Sequence, residues 1–361
     1  MMQQEQRRTK VANTPRPGVL LIGNFLSATN GFRSLCEELA LGLKAAGWSI
    51  ITASSHPGRV ARLLDFLLTV LRQRNRYRVA QVDIYSGLAF VWAELVCTAL
   101  RIIRKPYILT LRGGNLPTFA SGSDHRVKRL LQSASAVTAP SMFLQERMHR
   151  YRQDIIVLPN QLHLTNYSFS VREHPVQKLV WLRAFHDIYN PSLAIRVVSL
   201  LTKTFPGVLL SMIGPDKGDG SLESARDLAL KLGIADQVSF IGSVPKNTVA
   251  HWLNQGDIFL NTTRVDNMPV TVLEAMACGL CVVSTNVGGI PYLLEDECDA
   301  LLVPDGDHLA MATAVQRLIS KHDLAKRLSE NARRKAEQFA WSNILPKWEK
   351  LLMEIAAEAR T

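Results

Sequence analysis

Residues 257–289 read DIFLNTTRVDNMPVTVLEAMACGLCVVSTNVGG, and their pattern decides the fold. A short apolar run gives way to a polar loop, then to a segment opened by Pro269 and closed by Gly279, then to a second β-branched run. That is a buried strand, a loop, a short helix and another buried strand. Pro269 suits the first helical turn, so the free amides near Pro269 to Val272 form a positive helix end suited to a diphosphate. Glu274 falls about a turn inside this helix, among Val272, Leu273, Ala275, Met276 and Ala277. A carboxylate that deep needs partners such as sugar hydroxyls, because unpaired burial is costly. Asp266 lies eight positions earlier, across the loop mouth. The two acids need not share a proton; they can grip two ends of one anionic, hydroxyl-rich ligand. A simpler reading stays open, with Glu274 bonded to backbone and Asp266 forming a turn beside Asn267.

Outward from this unit, short β-branched runs alternate with helical patterns along the chain, the signature of parallel sheets with crossover helices. The first series includes GVLLIGN, WSIITAS, VDIYS, PYILTL, AVTAPS and DIIVLPN; the second includes QKLVWLR, GVLLSMIG, QVSFIGS, DIFLNTT, CVVSTNV and ALLVP. Between them lies QLHLTNYSFSVREHP (161–175), polar and ended by proline, which reads as a linker. The chain of 361 residues exceeds what one core usually organises. The expectation is an α/β protein of two doubly wound, Rossmann-like domains with ligand crevices at the carboxyl ends of their strands. A disordered tail would cover 1–17, a first domain 18–172 and a second 173–342. The window IYSGLAFVWAELVCTALRII (84–103) is long enough to suggest a membrane span, but Gly87 and Glu94 interrupt it and a strand-like PYILTL follows. It reads as a buried helix between two strands.

Charge is unevenly spread. Residues 1–175 hold 23 Lys and Arg against 10 Asp and Glu, whereas 176–361 hold 19 against 21. A basic first half suits an acidic membrane, an anionic lipid or nucleic acid, or is ordinary solubilising charge. Residues 60–78 sharpen the lipid reading, since a Leu/Phe-rich helix runs into arginines at 72, 74, 76 and 78. The alternative is a core-facing helix whose arginines suit its C-terminus. Five cysteines form no even disulfide framework and no secretory signal precedes them, so a reducing cytoplasm is expected. Cys278 and Cys281 form a lone C-x-x-C, which reads as two packed thiols rather than a metal site. In the first domain Leu35, Leu39 and Leu43 give a helix one apolar stripe, and Asn30-Gly31 before it would let a backbone amide approach a ligand. GNFLSATNG lacks the G-x-G-x-x-G of a dinucleotide site, so a nicotinamide role is not expected.

LEAMACG (273–279), CVVSTNVGGIP (281–291) and LLVPDGD (301–307) resemble the E-x7-E region of the retaining glycosyltransferases of family 4, also called group 1. The likeness extends back through FIGSVPKNTVAHWLNQGDIFLNTT and IGPDKGDG, and less closely into the first domain. It implies the GT-B fold, two Rossmann-like domains facing a central cleft, with a final helix at about 343–361 crossing back to the first domain. It implies that Glu274 binds the ribose of a nucleotide-sugar donor and that Asp266 sits by the donor sugar. Asn267, Met268, Pro269 and Val270 would offer backbone to sugar and phosphate, Arg183 would neutralise the diphosphate, and Gly31 would belong to the glycine loop of the first domain.

Two departures from the family pattern stand out. Where a second cation is common, this chain has Ile188-Tyr189-Asn190, leaving Arg264, Lys217 or the helix end to compensate. Where many members carry a histidine, it has Arg112-Gly113-Gly114, so Arg112 would meet a phosphate of donor or acceptor. Tyr292 also stands where an acid is frequent. The resemblance implies metal-independent transfer of a sugar from a UDP- or GDP-sugar to a glycan or lipid-linked acceptor, with retention and without a cofactor. Its expected setting is cell-surface polysaccharide, lipopolysaccharide or glycolipid synthesis in a bacterial cytoplasm, with an anionic membrane surface rather than nucleic acid as the larger partner. Two further readings stay open: a nucleotide-sugar epimerase on the same fold, and a binding or regulatory protein that keeps the cleft without turnover. A phosphorylase would need a pyridoxal-phosphate lysine motif, which the chain lacks.

Overall fold

The computed structural model describes residues 16–27 and 33–358. The expected tail up to residue 15 and the position of Gly31 lie outside the described residues. All twelve apolar runs read from the sequence form strands. The first six are β1 (Val19–Ile22), β2 (Ile50–Ala53), β3 (Val79–Ile84), β4 (Tyr107–Leu111), β5 (Ala136–Ala139) and β6 (Ile156–Val157). They build a parallel sheet in the order β2-β1-β3-β4-β5-β6. Its helices are α1 (Leu35–Ala45), α2 (Arg59–Arg72), α3 (Leu88–Ile102), α4 (Leu116–Ser121), α5 (Asp124–Gln132) and α6 (Met142–Met148). The apolar window at 84–103 is thus α3, buried on one face between two strands, and no described helix is long and apolar enough to cross a membrane.

The second sheet contains β7 (Lys178–Leu182), β8 (Leu209–Ile213), β9 (Val238–Gly242), β10 (Ile258–Asn261), β11 (Cys281–Thr285) and β12 (Leu301–Val303). Its order is β12-β11-β10-β7-β8-β9, all parallel. Chain direction therefore reverses its march across the sheet between β7 and β10, the switch point where the loops diverge and leave a crevice. Its helices are α7 (Pro191–Leu201), α8 (Ser221–Lys231), α9 (Val249–Leu253), α10 (Val270–Cys278), α11 (Ile290–Leu293), α12 (His308–Ser320), α13 (His322–Glu337) and α14 (Trp341–Glu358).

Alternation along each strand assigns the two faces. Leu20 and Ile22 of β1 point into a core with Phe66, Val70, Phe90 and Val96 of α2 and α3, while Val19 and Leu21 meet α1. The second of these faces is closed by α14, whose Trp348, Leu352 and Ile355 pack among Leu39 and Leu43. The last helix therefore belongs to the first core, and Trp48 fastens it by donating from Nε1 to Glu349 at 2.8 Å. The segment read as a polar linker is not a simple exposed spacer. Leu162 donates its N–H to Phe339 and accepts from Trp341 at 2.8 and 2.9 Å, so the outgoing and returning chains are bonded side by side. Leu162, Tyr167 and Arg172 are buried, and Arg172 pairs with Asp257.

Candidate functional site

β7 and β10 flank the switch point, and the loops leaving their carboxyl ends carry Arg183 and the stretch Arg264–Pro269. Trp181 and Thr262 join the two loops: the indole donates to Thr262 Oγ1 at 2.8 Å, whose hydroxyl donates to the Tyr189 carbonyl at 2.7 Å. Arg264 N–H bonds the Ile188 carbonyl at 2.8 Å. This places the Tyr189 ring under Arg183, 4.6 Å from guanidinium carbon to ring centre. The position that lacks the expected lysine thus supplies an aromatic face to the remaining arginine.

Arg183 forms an ion pair with Asp266. Its Nε is buried and donates to no partner among the described residues. Burial lowers its pKa from the ordinary arginine value, against the opposing pull of Tyr189 and Glu274. A buried guanidinium that keeps one nitrogen unpaired beside its carboxylate partner can still meet an added anion. Beside it α10 begins at Val270, capped by Pro269 with no side-chain hydrogen bond. Leu273 N–H reaches back only weakly to the Pro269 carbonyl, at 3.4 Å. The leading amides and the buried, unpartnered hydroxyl of Thr271 are therefore available to a ligand.

Glu274 sits one turn into α10 and is 1% exposed. Tyr167 donates its hydroxyl to Glu274 Oε1 at 2.7 Å, and the Lys246 ammonium pairs with the same oxygen. These two donors satisfy a carboxylate that would otherwise be buried without partners in an apolar helix. Burial, followed by the neighbouring Glu274 charge, raises the Tyr167 pKa well above the usual phenol range. Neither donor is singled out in the sequence: Tyr167 lies in the segment read as a linker, and Lys246, although inside the family-like stretch FIGSVPKNT, carries no assigned role. Glu274, Lys246 and Tyr167 line a cavity of about 1140 Å³ between the two halves, which Glu38, His163 and Trp341 also line.

The loop between the acids is held by sterics as much as by hydrogen bonds. Gly289 N–H bonds the Asp266 carbonyl at 2.9 Å. A Cβ at Gly289 would lie 1.9 Å from the Asn267 carbonyl oxygen, and one at Gly288 would lie 2.2 Å from that of Asp266. The Gly-Gly turn is therefore the floor on which the loop rests. Its roof is the first domain. A Cβ at Gly114 would lie 2.9 Å from the Asp266 carbonyl carbon, Ser141 donates to Asn267 Oδ1, and Asn160 Nδ2 bonds the Met268 carbonyl at 3.1 Å. Tyr292 also crosses the cleft, donating to Glu146 at 2.6 Å.

Asp266 pairs with Arg183 at the switch point, Asn267, Met268 and Pro269 lead from there to α10, and Val270 and Glu274 of that helix line the cavity. Arg112 departs from its expectation. It is 6% exposed, its Nε bonds Asp83 at 3.1 Å and its other nitrogen bonds Asn160 at 2.9 Å. Burial opposes its charge, and Asp83 together with Tyr85 and Cys36 more than offsets that, so in this structure Arg112 is engaged in an internal pair. Among the suggested substitutes for the missing cation, Arg264 is engaged with Asp187 at 2.7 Å. Cys278 and Cys281 are buried thiols, pushed up to about 12 by burial, as the packed reading requires.

Residues 173–335 match the family described as Glycosyl transferases group 1. D-inositol 3-phosphate glycosyltransferase of Saccharomonospora viridis is 30% identical over 157 residues, 42% of this chain and 36% of that protein. The D-inositol 3-phosphate glycosyltransferase of Mycobacteroides abscessus is 32% identical over 169 residues, 46% of this chain and 37% of that protein. The alignments thus span little more than a third of these curated relatives. Among solved structures, sucrose-phosphate synthase from Thermosynechococcus elongatus superposes with a TM-score of 0.79 at 17% identity, over 95% of this chain and 100% of that one. Anabaena HepE in complex with UDP-glucose gives 0.73 at 16% identity, over 95% and 100%. The chain therefore has the GT-B fold, and its residues 173–335 resemble the glycosyl transferases group 1.

Proposed function

We propose that this chain is a retaining glycosyltransferase that moves a sugar from a nucleotide diphosphate donor to an acceptor hydroxyl, in the assembly of a bacterial cell-surface polysaccharide or glycolipid. The observation that carries the reading is Arg183, buried with an unpartnered Nε beside the uncapped N-terminus of α10. A diphosphate laid there meets a cation and free amides together, which offsets its charge as it leaves. In this reading no metal is needed, because the cation and the helix end do that work.

Glu274 then accepts from the ribose hydroxyls, and Asp266 from the sugar once the diphosphate takes over its partner Arg183. The bond from the anomeric carbon to the phosphate oxygen breaks first, giving an oxocarbenium-like transition state. The acceptor oxygen bonds that carbon on the face the phosphate is leaving, and its proton passes to the departing phosphate oxygen. Configuration is thereby retained without a covalent intermediate on the protein. The UDP and UDP-glucose complexes of the HepE structures support a nucleotide-sugar donor.

A thermal-shift screen against UDP-, GDP-, ADP- and TDP-sugars tests the binding half of the proposal, since a ligand of the folded state alone must stabilise it. Arg183→Ala and Glu274→Ala should each abolish the shift produced by the preferred donor. NMR of the product's anomeric centre tests retention. No shift with any donor at about 100 times a micromolar Kd, where about 2.7 kcal/mol of stabilisation is due, would sink the reading.

A further inference from the structure

Helix α2 is apolar on two faces. Phe66 and Val70 are buried in the first core, yet Val60, Leu64, Leu68 and Leu71 recur at helical spacing on the opposite side and are exposed, Val60 by 73% and Leu64 by 54%. α3 packs alongside and repeats the pattern. Its Phe90, Val96 and Leu100 are buried, while Leu88, Leu95 and Ile102 face out at intervals of seven, Ile102 by 76%. Both helices cover the same side of the sheet, since their inner residues share one core. Their outer residues therefore leave apolar side chains in water on two neighbouring helices, where a surface helix normally turns a polar face out.

These outer faces end in a basic collar. Arg72 ends α2 and Arg74, Arg76 and Arg78 follow it, while Arg101 lies in the last turn of α3 and Arg104 just beyond it. None of the six enters an ion pair among the described residues. Across residues 59–105 nine Lys and Arg stand against three acids, of which Asp83 is buried on Arg112 and Glu94 is paired with Arg126. A second protein chain covering these faces would have to match so many free arginines with carboxylates. Another copy of this basic chain does not offer them on this face.

We propose that the α2–α3 face docks on the surface of an anionic phospholipid bilayer, with the leucines entering the headgroup boundary and the arginines meeting lipid phosphates. Apolar insertion and basic attraction are the two contributions that hold a peripheral helix at an interface. Val60 and Leu88 begin the two helices at the carboxyl edge of the sheet, so the bilayer would lie beside the mouth of the cleft. If the glycosyltransferase reading holds, an acceptor carried by a lipid would be presented there; the docking itself does not rest on that reading.

The test is co-sedimentation of the full chain with vesicles of phosphatidylcholine alone and with vesicles in which about a third of the lipid is phosphatidylglycerol. Binding is expected only to the anionic vesicles, and to fall about tenfold or more when salt shortens the Debye length from about 10 to 3 Å. Leu64→Ser with Leu68→Ser should weaken it by an order of magnitude, and Arg72→Ala with Arg74→Ala and Arg76→Ala by about 10²-fold. All five positions are exposed, and an unchanged melting temperature confirms that the variants fold. Equal binding to neutral vesicles, absence of binding, or binding that survives the leucine replacements overturns the proposal. So does concentration-dependent dimerisation, by analytical ultracentrifugation, that those replacements abolish. Vesicle binding is read without donor and the thermal shift without vesicles, so failure of one reading leaves the other to its own test.

Discussion

Replacing Gly289 by alanine separates sterics from every other influence on the site. Gly289 has φ −85° and ψ −3°, a conformation alanine adopts without strain. In an open position the change would stabilise the chain by about 0.4–1 kcal/mol through the unfolded state. Here the new methyl would stand 1.9 Å from the Asn267 carbonyl oxygen and 2.7 Å from its carbon. An ordinary carbon–oxygen contact is about 3.3 Å, so the loop must retreat by about 1.4 Å. Overpacking of this kind costs about 1–3 kcal/mol. The bond from Gly289 N–H to the Asp266 carbonyl stretches with the retreat and adds about 0.5–1.5 kcal/mol. The net expectation is a loss of about 1–4 kcal/mol in chemical denaturation. The functional loss should be larger, because Asp266 and the α10 N-terminus move together, and a shift of about 1 Å at a reacting group costs about 10²-fold in rate. Donor titration and kcat/KM measure this, with Gly58→Ala as the control, since a Cβ there meets nothing closer than 3.9 Å. A Gly289→Ala protein as stable and as active as the wild type would refute the claim that the Gly-Gly turn sets the loop.

Three further outcomes follow from the geometry. Arg112→Leu strands the buried Asp83 carboxylate and should cost about 3–5 kcal/mol, whereas Arg112→Leu with Asp83→Leu should cost less than the single change; a phosphate-binding Arg112 would instead lose affinity with stability intact. Tyr167→Phe removes a hydrogen bond to the buried Glu274 carboxylate and should lower stability by about 1.5–3 kcal/mol while raising the donor KM more than it lowers kcat; unchanged stability and KM would show that the bond is idle. Asp219 is held down to about 2 by the Asp187 amide, at 2.8 Å, and then by Ser221. Its folded pKa lies below the unfolded value of about 3.9, so its stabilisation is complete above about pH 4 and lost as pH falls toward 2. The difference in urea midpoint between wild type and Asp219→Asn should therefore be constant from about pH 7 to 5 and narrow only below about pH 4; a difference already shrinking near neutrality would point to another group.

Periodicity and chain chemistry by themselves determined the elements. Every apolar run formed its strand because a β-branched segment between helices has nowhere to bury itself except in a parallel sheet. Pro269 and Gly279 bounded α10 because each fixes backbone geometry locally, and Glu274 could be placed inside that helix for the same reason. The family likeness depended on the same contiguous stretch. Relations between distant segments were decided only by the tertiary structure. Tyr167 and Lys246 converge on Glu274 from 107 and 28 residues away, and Ser141 reaches Asn267 across 126. No local pattern records such pairings, because they are fixed by which sheet faces and loop ends the fold brings together. Arg112 shows the converse: a cation in a glycine-rich loop reads as a phosphate ligand until Asp83, on the neighbouring strand, is seen to hold it. The α2 pattern was equally ambiguous, since two apolar faces on one helix do not say which is covered. Packing against the first sheet chose the Phe66 face and left Leu64 and Leu68 in water, because a helix lying on a sheet can bury only the side that meets it.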